Sequence, residues 1–147
     1  MIDSDLIPDE EWVLRSVRPE SAPMREGRRL IHSEAFNDRW MKPSVDRANL
    51  KPPEQAKRSP RDGVLKLQVQ PVRCITTVIH QERQVPYKVD VIARPIHANN
   101  PDGEPENPAH AQVEVDPEFE SRSRFNKLKD ALSRLAAQNG WAIEPPQ

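Results

Sequence analysis

Histidine is the side chain best able to shuttle a proton near neutral pH, and this chain has four: His32, His80, His97 and His110. His32-Ser33-Glu34 and His80-Gln81-Glu82 each match the His-x-Glu half of a zinc deaminase, but the Pro-Cys-x-x-Cys half has no counterpart because Cys74 stands alone. No His-Glu-x-x-His spacing occurs either, so neither a metal nor any other cofactor is expected. Gly27, Gly63, Gly103 and Gly140 lie too far apart for a phosphate-cradling loop. Cys74 falls in a β-branched run, where an inert buried thiol is expected.

A metal-free enzyme or toxin acting on RNA or a nucleotide needs only a proton shuttle and a cation for the developing charge. His110 is the candidate base, since it projects from the polar side of its strand beside an acidic loop. His32, Arg28 and Arg29 are its candidate partners, with Ser44 a more distant nucleophile. An ordinary exposed histidine is the plainer reading of His110, and it carries more weight.

Basic residues offer a third chemistry. Arg25, Arg28, Arg29, Arg39, Lys42, Arg47 and Arg58 are interleaved with Phe36 and Trp40, a composition suited to a nucleic-acid groove. Glu26, Glu34, Asp38, Asp46, Glu54 and Asp62 leave the 25–62 segment at a net of only +4. Polyanion binding is therefore not favoured.

Charge is distributed in blocks although the net is −1. Residues 1–11 hold five acids and no base, 12–94 hold 17 bases against 9 acids, and 95–120 hold seven acids and no base. Self-neutralisation is expected, with the acidic 95–120 segment set against the basic connection before residue 62.

Proline makes up 16 of the 147 residues and glycine 4, so regular elements must be short. Alternation predicts strands over 11–18, 64–70, 73–80, 87–94 and 109–115, with 73–80 and 87–94 forming an antiparallel pair. Phe125, Leu128, Leu132 and Leu135 form one helical stripe, predicting a helix over 117–139 capped by Asp116 and stopped by Asn139-Gly140. The expected fold is α+β: a mainly antiparallel sheet of four to six strands with this long amphipathic helix packed on it. An acidic tail over 1–10, one domain over 11–143 and a tail over 144–147 complete the layout. Within the domain, 19–63 reads as an irregular Pro-rich connection and 95–108 as a mobile acidic loop.

The Trp12 strand, Gly27-Arg28-Arg29 with Phe36, Ser44-Val45-Asp46, Asn107-Pro108-Ala109-His110-Ala111 and Gly140-Trp141 together resemble small uncharacterised bacterial proteins. The resemblance implies a bacterial origin and no particular activity. No strictly apolar run exceeds three residues, so no membrane association is expected. The acidic start lacks a signal-peptide core, which with the lone cysteine points to the cytoplasm. Absence of a dense catalytic signature favours a non-catalytic accessory module that contacts another macromolecule, most simply a protein, through charged loops.

Overall fold

In this computed structural model the described residues are 6–146. Alternation organises the first strand, β1 (Trp12–Val17), which buries Val13 and Val17 on one face and Leu14 on the other. The following segment forms a short hairpin, β2 (Met24–Arg25) and β3 (Arg28–Arg29), then β4 (Ser44–Arg47) and one helical turn, α1 (Pro53–Ala56). β5 (Gly63–Gln68), α2 (Val69–Arg73), β6 (Lys88–Ala93), β7 (His110–Asp116), α3 (Arg122–Asn139) and β8 (Trp141–Ile143) follow. Six strands make one antiparallel sheet in the order β6-β7-β4-β1-β5-β8. The expected α+β architecture is the observed one.

α3 covers one face of the sheet. Phe125, Leu128, Leu132 and Ala136 are buried with Leu65, Leu67, Val89 and Val91 in a single core. Each leucine removed from water there stabilises the fold by about 1.5–3 kcal/mol. Leu135, last of the predicted stripe, is only partly buried. The opposite face has a small apolar cluster of Leu14, Ala56 and Val64 beneath α1. Elsewhere that face is polar, because Ser44 pairs with Gln112 and Asp46 with His110 across β4 and β7.

Several expectations are corrected. The 19–63 connection is not merely irregular: it supplies β4, which lies between β7 and β1 inside the sheet. The 73–80 run is not a strand, and its expected pairing with 87–94 shrinks to a bridge between Ile79 and Pro86. Its β-branched residues serve packing instead, with Val78 buried and Ile75 against the core. β5 ends at Gln68, after which Val69 opens α2 rather than prolonging the strand. Cys74, at the end of α2, is exposed rather than buried.

α3 starts at Arg122, not at Pro117, with the Ser121 hydroxyl accepting from Arg124 N. Ser121 thus takes the capping role expected of Asp116.

Residues 6–10, read as part of an acidic tail, lie against the body: Ile7 is buried and Asp9 pairs with Arg73 at 2.7 Å. Residues 1–5 of that tail, and Gln147 of the other, lie outside the described residues. Pro145 is buried over Gly63, where an added Cβ would come within 2.5 Å of the proline ring. The 95–108 loop is tied by an Ile96–Asn107 bridge and by the Asn100 side chain, which donates to His97 O and Glu104 O. No helix among the described residues is long and apolar enough to cross a membrane.

Candidate functional site

β1 and β4 separate soon after they meet. β1 remains paired to β5 as far as Val17, but its register with β4 contains only Val13↔Arg47 and Leu14↔Asp46. The Arg15 guanidinium occupies the gap, donating from Nε to Ala35 O at 3.0 Å, from Nη1 to Ser44 O at 2.8 Å and from Nη2 to Asn37 O at 2.8 Å. Three carbonyls hold it, and among the described residues no carboxylate hydrogen-bonds it. Burial, and then the like charge of Arg58, push its pKa down to about 10, with Asp38 acting in the opposite direction. The group is still a cation at neutral pH.

A groove of about 920 Å³ opens over this cation. Arg18, Arg58 and Arg61 line it as exposed side chains, and none has an ion pair among the described residues. Its carboxylates mostly have partners. Glu34 meets Lys129 Nζ at 2.7 Å, and Asp46 accepts from Asn107 at 2.8 Å and faces Lys51 Nζ at 3.5 Å. Asp62 accepts from the Ser16 hydroxyl at 2.8 Å. Sequence reasoning missed this groove, although Arg15 falling in register with the inward Val13 and Val17 was its signal.

Ser44 also lines the groove, and the structure joins it to His110. His110 Nδ1 lies 2.8 Å from Arg94 O, a pure acceptor, so Nδ1 carries the proton and Nε2 accepts from the Ser44 hydroxyl at 3.2 Å. That polarity is the first half of a nucleophile–base arrangement. The far nitrogen rests on a carbonyl, however, and the two residues are diagonal neighbours across β4 and β7, the ordinary geometry of a cross-strand contact.

Of the other proposed partners of His110, His32 and Arg29 are engaged elsewhere. His32 Nδ1 accepts from Glu34 N at 3.2 Å and caps the 3-10 turn Ser33–Phe36. Arg28 is exposed opposite Arg25 on the β2–β3 hairpin, while Arg29 donates to Ala22 O at 2.7 Å and Pro146 O at 2.9 Å. The polyanion set is spread out in the same way. Arg47 forms a two-pronged pair with buried Glu11, both contacts at 2.9 Å, and Lys42 meets Glu118 at 3.3 Å. Arg58 lies at the groove, and Phe36 is fully buried and cannot stack on a base. Among the described residues no three His, Cys, Asp or Glu side chains converge as a metal site.

Trp40 is the reverse of Phe36: it is 70% exposed. Its turn is held tightly, with Asp38 Oδ2 accepting from both Trp40 N and Lys42 N at 2.9 Å. From α3, Arg122 donates to Asp38 O at 3.1 Å and Arg39 O at 3.2 Å. Met41 sits at φ 61°, a left-handed conformation uncommon for its side chain. Arg39 lies 5.0 Å over the indole ring, beside a cavity of about 310 Å³ lined by Trp40, Met41, Val115 and Phe119.

A further polar cluster pins the 79–87 loop to the segment before α3. Buried Tyr87 donates its hydroxyl to Glu120, which also accepts from Gln81 N at 3.2 Å. His80 Nδ1 accepts from Arg83 N at 3.2 Å, so its Nε2 bears the proton facing Glu120 at 3.3 Å. Burial and then the Glu120 contact raise the Tyr87 pKa to about 12, while the Tyr87 hydroxyl lowers that of Glu120. No family model matches the chain, and neither a curated protein nor a solved structure matches it.

Proposed function

We propose that this protein is a non-catalytic accessory module that docks onto a protein partner through the charged turn 37–42. One observation carries the reading: a tryptophan held in water on a turn that Asp38 and Arg122 clamp from both sides. Leaving an indole exposed forgoes a large burial gain, and the left-handed Met41 adds a backbone penalty of about 1 kcal/mol. Tryptophan and arginine dominate binding hot spots, and a pre-ordered anchor loses little entropy on docking. Arg39 lies over the indole, so the partner surface presents an apolar side chain beside an acidic one. The exposed unpaired thiol of Cys74 fits a reducing compartment, and we place the module in the cytoplasm.

Affinity capture from the native host tests this with three chains: wild type, Trp40→Ala and Ser44→Ala. A partner recovered with wild type and Ser44→Ala but reduced at least about tenfold with Trp40→Ala is the expected result. Equal recovery with Trp40→Ala would remove the turn from the interface. Hydrolytic turnover abolished by Ser44→Ala would favour the enzyme reading through Ser44 and His110.

A further inference from the structure

The groove between β1 and β4 meets the Trp40 turn only at Asn37 and has its own chemistry. Arg15 places a cation there whose hydrogen bonds all run to backbone carbonyls. Arg18, Arg58 and Arg61 add three exposed guanidinium groups without ion pairs among the described residues. Guanidinium forks match phosphate oxygens in geometry and charge. Lys129 and Lys51 already offset Glu34 and Asp46, so the groove keeps an excess of positive charge.

The remaining groups narrow the ligand further. Glu20 and Asp62 would repel a ligand that was anionic throughout, yet both are acceptors for hydroxyl groups. Ser21, Ser44 and Ser59 supply hydroxyls along the same walls. No aromatic side chain lines the groove, so a nucleobase would find no ring to stack on. Its volume falls within the range of small-molecule sites. We propose that the β1–β4 groove binds a small polyhydroxylated phosphate ester of the sugar-phosphate class, its phosphate on the Arg15, Arg58 and Arg61 guanidinium groups and its hydroxyls on Asp62, Glu20 and the serines.

Titration calorimetry of the full chain tests this with a panel of pentose and hexose monophosphates, their parent sugars, inorganic phosphate and a single-stranded RNA. At least one sugar phosphate should bind at least about tenfold more tightly than inorganic phosphate, and the parent sugars should not bind. Arg58 and Arg61 are exposed, so the double variant Arg58→Ala/Arg61→Ala keeps the fold, as its melting temperature would verify. Its Kd for that ester should rise at least about tenfold, the loss expected when a charge-assisted hydrogen bond is removed. The proposal is overturned if no ester exceeds inorganic phosphate, if the double variant binds as well as wild type, or if the RNA alone binds. Trp40→Ala leaves ester binding unchanged, so failure here and failure of the docking turn are distinguishable.

Discussion

Tyr87 shows how one buried side chain ties a loop to the segment ahead of a helix. Its phenol gives up its proton only at a pKa of about 12 in the folded chain, against 10.0 for an unperturbed phenol. Below pH 10 both states keep the proton, and the full contribution of this group to stability is present. Between pH 10 and about 12 the unfolded chain alone ionises, so that contribution is lost as the pH rises. Glu120 runs the other way: its lowered pKa supports the fold above the usual carboxylate range, and that support fades as the solution becomes more acidic. Tyr87→Phe removes the first effect and the largest cause of the second. Thermal melts across the pH range should show wild type losing its advantage over Tyr87→Phe above pH 10, with a smaller loss in acid. A constant gap from pH 8 to 12 would mean that the phenol does not titrate with unfolding. None of this pairing was legible in the sequence, because Tyr87 and Glu120 lie 33 residues apart and meet only through the tertiary fold.

At the scale of elements, legibility followed the length and period of each pattern. The stripe Phe125, Leu128, Leu132 spans about two turns, and it specified both the helix and its buried face. Its start was misplaced because Asp116-Pro117 has the composition of a helix opening, while the better-placed Ser121 hydroxyl takes Arg124 N. Ser121→Ala should therefore destabilise the protein by about 1 kcal/mol, and Asp116→Ala should leave helix stability unchanged. Denaturant titration of both variants decides between the caps; the opposite ranking would return the cap to Asp116. β4 was invisible for a different reason. It has four residues, only Val45 is buried, and its charged neighbours hide the alternation. The 73–80 run misled in the other direction, since β-branched residues fit a pleated surface but cannot supply a partner strand. β6 pairs with β7 instead, and Val78 serves the core from a loop.

Across the whole molecule, the charge blocks are resolved mainly by contacts that tie distant parts of the chain together. Arg47 takes Glu11, Lys129 takes Glu34, and Arg73 bridges Asp9 and Asp90 at 2.7 Å each. The expected match of the 95–120 acids to the basic connection is limited to Lys42–Glu118; Arg94 takes Glu114, and Asp102, Glu104 and Glu106 have no ion pair among the described residues. Among the described residues, internal pairing leaves unpaired guanidinium groups at the β1–β4 groove and unpaired acids on the 102–106 loop, while the turn at 37–42 holds Trp40 in water. Composition revealed that arginine was abundant, but which arginines are occupied depends on strand register and could not be read from order alone. The central claim concerns the turn, and site-specific photo-crosslinking in the native host tests it most directly. A benzophenone side chain is placed at position 40, with exposed position 50 on the β4–α1 connection as the control. Our account predicts one discrete protein adduct from position 40 and none from position 50. No adduct at position 40, or the same products from both positions, would contradict it.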